Sequence, residues 1–282
     1  MNRAFPWEIK VKQDSRIALI GHSSNMLGIP TSLLASTEFN EHPVPLHIHG
    51  TREANSGLFG MLGNAGDLTL AGTIFQDYMS LVFGFEEEQY RGTDAQGRRR
   101  FRSSYLRLLQ DWGFDSNNPQ GALLKGWVES RFGLFPTFHK APLIGFSTAA
   151  WMEYVEEKMN SRYHNNCIFL QLDLLYEFCQ WAIARFQIPA ARHLVLFRGA
   201  NTLDELRLNS NSNGKEGVIR LNNVVSFTDR RNTAGEFGRY IIETQVPVAK
   251  LLFFNELLAS HPLRGEAEYL AIGGDYRVRI SS

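Results

Sequence analysis

An excess of charge of either sign is missing from this 282-residue chain, in which lysine plus arginine number 29 and aspartate plus glutamate also number 29. Without an overall basic field, sequence-independent capture of nucleic acid or of an acidic membrane is excluded, and partners must be met by local surfaces. Cysteine is nearly absent. Cys167 and Cys179 lie twelve positions apart in a segment of helical periodicity, more than three turns of a straight helix and too far to bridge. They read as small core residues in a reducing compartment. Met1 to Val11 carries Trp7, Glu8 and Lys10 and no long apolar stretch, which predicts neither a signal peptide nor a membrane span, and a cytoplasmic protein. No repeat, low-complexity linker or Gly-x-Gly-x-x-Gly after a strand is found, so a Rossmann crevice is not expected.

What is present is ample apolar material, 44% of residues, enough for a full core. Apolar stripes at helical spacing occur in Leu68 to Phe85 (Leu70, Ile74, Tyr78, Leu81, Phe85), Ser103 to Trp112, Ala149 to Met159 and, most strongly, Ile168 to Phe186, which ends before Pro189 and is expected to pack centrally. Residues 16–21 read as a short buried strand, and Gly21 to His49, rich in Ser, Pro, Asn and His, as a long loop. From His193 the texture turns β-like: His193 to Phe197, Val224 to Thr228, Gly238 to Val246, then Leu270 to Ile280 as a hairpin turning at Gly273-Gly274-Asp275, with a short helix near Ala249 to Leu258. The expectation is an α+β fold in one compact unit, 1–282, with a mainly helical part to residue 190 and a β-rich part from 191.

Chemistry concentrates in the β-rich part. Glu266 and Glu268 project to one side of an extended segment, where two carboxylates can face a cation, a metal or a developing positive charge. The plain alternative is an edge strand with solvated acids. Arg198, at the end of Leu196-Phe197, offers the planar fork suited to a pyrophosphate, and Gly199 permits close backbone approach. Ser226 and Thr228 set two hydroxyls on one face of a strand with Phe227 on the other. In this order the three resemble the Arg, Ser-Thr-Ser and Glu-x-Glu signature of arginine-specific mono-ADP-ribosyltransferases, Thr228 replacing the last serine. Longer strings, Gly28 to Asn40, His42 to Ala54, Leu196 to Gly199 and Gly265 to Val278, are similar to the NAD-dependent dinitrogenase reductase ADP-ribosyltransferases of nitrogen-fixing bacteria.

That resemblance implies a split-sheet transferase core and transfer of ADP-ribose from NAD to an arginine of the nitrogenase iron protein, switching nitrogen fixation off. A PII-type nitrogen signalling protein is the implied regulator. It implies further that Glu268 stabilises the ribosyl cation, Glu266 prepares the acceptor guanidinium, Arg198 and Gly199 hold NAD, Ser226 fixes Glu268, and Phe227 and Thr228 line the nicotinamide pocket. The rival readings are a transferase of the same chemistry with another target, and a non-catalytic NAD-binding regulator. His42, His47 and His49 lack the companion ligands of a metal site, so none is expected, and His47 to Glu53 is instead expected along the NAD or target groove. Arg98 to Arg100 with Arg102, after Glu86 to Glu88, form either a solvated turn or a docking surface, and Asn209 to Gly217 a surface loop or lid.

Overall fold

Several helices in this chain start where a short polar residue takes up a free amide of the first turn. In the computed structural model, which describes residues 20–85, 102–187, 192–202, 207–210, 215–258 and 268–281, the helices are α1 (Thr31–Leu34), α2 (Thr37–Glu41), α3 (Thr51–Ala54), α4 (Ser56–Leu62), α5 (Leu68–Phe83), α6 (Tyr105–Phe114), α7 (Pro119–Phe132), α8 (Ala149–Lys158), α9 (Ile168–Ala182) and, among the strands, α10 (Arg231–Glu236). Ser36, Asp67, Ser104, Asn118 and Thr148 cap α2, α5, α6, α7 and α8 by accepting from an amide of the turn that follows. Pro119 opens α7, where its missing N–H is not needed. The central element is α9, buried along most of its length and continued by a π turn, Ile183–Gln187.

The strands are β1 (Phe138–His139), β2 (Ala141–Pro142), β3 (His193–Ala200), β4 (Arg207–Ser210), β5 (Glu216–Thr228), β6 (Tyr240–Pro247), β7 (Leu251–Phe254) and β8 (Glu268–Ser281). The first two form a small hairpin. The others form one antiparallel sheet in the order β4-β5-β3-β6-β8-β7, with β5 also paired to β8. One edge of β8 is followed by β5 along nearly its whole length. The other edge is divided: β7 takes the Tyr269–Ala271 end and β6 the Val278–Ser281 end. That division splits the sheet. At the split, Thr228 pairs both with Glu268 on β8 and with Phe197 on β3, so the ends of three strands meet. One apolar cluster joins α5, α6, α7 and α9 to β5, β7 and β8.

Several expectations need correction. The hairpin at Gly273-Gly274-Asp275 does not form; β8 runs through unbroken. These glycines serve a bulge and a crossing. Asn222 and Asn223 of β5 stand opposite Gly273 alone, where a Cβ would lie 1.6 Å from the Asn222 carbonyl oxygen. Gly274, at φ +109°, passes close under Ala35 of the α1–α2 corner. The Ala249 to Leu258 helix is replaced by two 3₁₀ turns flanking β7, and Gly21 to His49 contains α1 and α2. On α5 the buried face is Ala71, Gly72, Phe75 and Met79, with Leu70 and Leu81 exposed. Small residues let this helix approach the Leu257 carbonyl closely, and an apolar count undervalues them. Cys179 is buried, whereas Cys167 is exposed and precedes α9 in a left-handed conformation. Residues 16–19 of the proposed first strand lie outside the described residues; Gly21 makes an isolated bridge to Leu134.

Candidate active site

The meeting point of β3, β5 and β8 floors a cleft of about 580 Å³. Arg198, Gly199, Ser226, Phe227, Thr228 and Glu268 all line it, so the structure brings these six sequence-marked residues to one place. Glu266 lies outside the described residues, as do Arg98 to Arg100 and Glu86 to Glu88. Opposite the strands the wall comes from the helical part and its connections: Trp112 near the end of α6, Gly113–Asn117 leading toward α7, Thr137 and Phe138 at the β1 hairpin, and on the far side Thr233 and Ala234 of α10 with Phe237.

Hydrogen bonds set the carboxylate. Ser226 Oγ donates to Glu268 Oε1 at 2.6 Å. The Trp112 indole N–H donates to the same Ser226 Oγ at 2.9 Å. Arg198 Nη1 donates to the Ser226 carbonyl oxygen at 2.9 Å. Burial pulls the Arg198 guanidinium below its ordinary value, and the nearby Glu268 charge opposes that pull. A guanidinium stays protonated under such conditions, so the cleft floor holds a fixed cation beside a carboxylate. The Thr228 hydroxyl accepts from the Arg230 amide at 3.1 Å, pinning the turn that leaves β5.

Two sequence-marked residues of the cleft also serve the chain's own packing. The ring of Phe227 packs in the core, 6.2 Å from that of Tyr276, because alternation along β5 turns it away from Ser226 and Thr228. Gly199 does permit close approach, but by the chain's own backbone: a Cβ there would stand 2.2 Å from the Ala234 carbonyl oxygen of α10.

The bulge in β5 ties the helical wall to the floor. Asn222 accepts from the Thr137 amide at 3.0 Å and donates to the Phe138 carbonyl at 2.8 Å. Asn223 donates to the Lys125 and Leu134 carbonyls. No motif in the sequence marks Trp112, Asn222 or Asn223 as part of a site. A tryptophan in an apolar stripe carries one N–H that must find an acceptor when buried, and that was the available signal.

The histidine segment lies elsewhere. Buried Glu177 of α9 accepts from the Ile48 amide at 2.7 Å, lies 3.1 Å from His47 Nδ1 and is paired with Arg52. His47 to Glu53 is therefore not among the cleft's lining residues. Among the described residues, no group of three His, Cys, Asp or Glu side chains converges as a metal site requires. A second cleft of about 660 Å³ carries His193, Glu243, Arg277 and Arg279. It is the larger, but Arg198, Ser226, Thr228 and Glu268 do not line it.

The model of the family described as dinitrogenase reductase ADP-ribosyltransferase matches residues 24–280. A Rhodospirillum rubrum protein named NAD(+)--dinitrogen-reductase ADP-D-ribosyltransferase is 54% identical over 264 residues, which cover 93% of this chain and 96% of that protein. No solved structure matches.

Proposed function

This chain belongs to the dinitrogenase reductase ADP-ribosyltransferase family, and we propose that it transfers ADP-ribose from NAD to dinitrogenase reductase, on an arginine, so switching nitrogen fixation off. The observation that carries the reading is the convergence of Arg198, Ser226 and Glu268 from three strands on one cleft. NAD is the substrate here, not a hydride carrier.

Each residue has a task in this reading. Arg198 meets the pyrophosphate or the adjoining ribose of NAD, and backbone at Gly199 meets the carboxamide. The bond between nicotinamide and ribose breaks with its electron pair leaving on nicotinamide, and positive charge develops on the ribose. Glu268, oriented by Ser226, faces that charge. Thr228, paired to both neighbouring strands, fixes the floor. A guanidinium, with a pKa above ~12, is no nucleophile while charged. Glu266 therefore positions the acceptor and takes its proton as the new carbon–nitrogen bond forms.

Phe227 supports the floor from the core side, and the helical and β-rich parts work together as one unit, the described helices supplying a wall of the cleft. No helix among the described residues is long and apolar enough to cross a membrane, and a cytoplasmic site of action fits this reading. A PII-type nitrogen signalling protein is the second partner, tested by co-purification with the full chain. The reading is tested by incubating the protein with NAD and dinitrogenase reductase and locating the added mass. Fragmentation that places ADP-ribose on an arginine supports it; modification of another residue type removes the arginine assignment, and release of free ADP-ribose alone removes the transfer.

A further inference from the structure

We propose that Trp112 is a positioning residue for Glu268, acting through Ser226, and that buried Lys125 with its polar partners is the seat that fixes the indole. The inference rests on the reading of Glu268 as the carboxylate that faces the ribosyl cation.

Hydrogen-bond inventory gives the reason. A serine hydroxyl has one proton to donate and two lone pairs, while an indole N–H only donates. Accepting from Trp112 Nε1 at 2.9 Å commits a lone pair of Ser226 Oγ and turns its proton toward Glu268 Oε1, 2.6 Å away. Without that N–H the hydroxyl is free to rotate to another acceptor, and the carboxylate loses its fixed orientation. Trp112 thus aims the serine, and the serine aims the acid.

Trp112 is itself held. It lies buried in the last turn of α6, with Lys125 Nζ of α7 5.8 Å from its ring centroid. In its protonated form, which burial confines to about pH 7 and below, such a lysine over an indole face is attractive, more so when desolvated. Lys125, 1% exposed, donates to Asn117 Oδ1 at 3.1 Å and stands 3.2 Å from His139 Nδ1. His139 Nε2 in turn meets Glu157 of α8 at 2.8 Å. Asn223 of the β5 bulge donates to the Lys125 carbonyl at 2.9 Å, so the seat is tied to the strand that bears Ser226. A buried lysine with so defined a set of partners is costly to keep, and its place beneath the indole gives it a use.

The test is steady-state kinetics of NAD cleavage on the full chain. Trp112→Phe keeps an aromatic ring over Lys125 and removes only the N–H donor. Loss of one hydrogen bond to the orienting serine is expected to lower kcat about ten-fold, with KM for NAD within about two-fold of wild type. In a Ser226→Ala background, where no hydroxyl remains to be aimed, the same substitution is expected to change kcat less than about two-fold. A wild-type kcat for Trp112→Phe, or an equal loss in both backgrounds, overturns the proposal. Lys125→Met keeps the volume and the indole N–H; a loss of several-fold in kcat at unchanged KM supports the seat, and wild-type kcat removes it, even if Trp112→Phe does not fold. Glu268→Gln separates the two levels. If it still cleaves NAD, the reading of Glu268 fails and the proposal with it; if it is inactive while Trp112→Phe is unimpaired, only the positioning role fails.

Discussion

A carboxylate stabilises a transient cation best when it does not have to reorganise as the charge appears. Glu268 meets that condition through Ser226, whose hydroxyl donates to it from the neighbouring strand. Replacing Ser226 by alanine is expected to lower kcat for NAD cleavage about ten- to hundred-fold while KM for NAD moves little, because the loss falls on orientation. Arg198→Lys should act on binding instead. The lysine keeps the charge but loses the planar fork and the bond to the Ser226 carbonyl, so KM for NAD is expected to rise about ten-fold in the same assay. These residues were legible in the sequence because each sits at a strand position whose alternation assigns its face. Trp112 was not, since in a one-dimensional reading it served only to mark an apolar stripe. Nor could His47 be placed: nothing in its own segment reveals that its partner, Glu177, lies 130 positions away on α9.

At the scale of elements, the bulge of Asn222 and Asn223 opposite Gly273 does the joining. It turns two asparagines out of the ladder and onto the helical wall, as bulges do when they re-aim side chains. Gly273→Ala puts a methyl group where the Asn222 carbonyl oxygen already stands. A loss of about 2–3 kcal/mol of unfolding free energy is expected in urea titrations, with NAD cleavage impaired even in the fraction that stays folded. The same glycine pair misled the sequence reading, since Gly-Gly-Asp marks a tight turn or a close crossing equally well and only the partner strand decides. Helix α7 escaped notice for a different reason. Ten of its residues are buried, Lys125 and Glu129 among them, so it has no polar face to set off an apolar stripe. The β-rich texture after His193 and the long helix near Ile168 were readable because their periodicities are undiluted.

At the scale of the molecule, the interior formed by the described residues holds two lysines whose energetics depend on pH. Burial lowers Lys125 and Lys250 to about 7, against 10.5 for an ordinary lysine. Between those values the unfolded chain binds more protons than the folded one, so stability rises with pH. From pH 7 to 9 the unfolding free energy is expected to climb by up to about 1.4 kcal/mol per pH unit for each lysine. Lys250→Met should remove about half of that slope in denaturant titrations across this range. An unchanged slope would place the effect elsewhere. Above this level stands the central claim, that this fold moves ADP-ribose from NAD to dinitrogenase reductase with Glu268 as the acid that makes the step possible. Its most direct measurement is the incorporation of label from NAD carrying a labelled ADP-ribose moiety into dinitrogenase reductase by the wild-type protein and by Glu268→Gln at matched folded concentration. The account predicts label on the target with wild type and a loss of at least about a thousand-fold with the variant; wild-type incorporation by Glu268→Gln would contradict it.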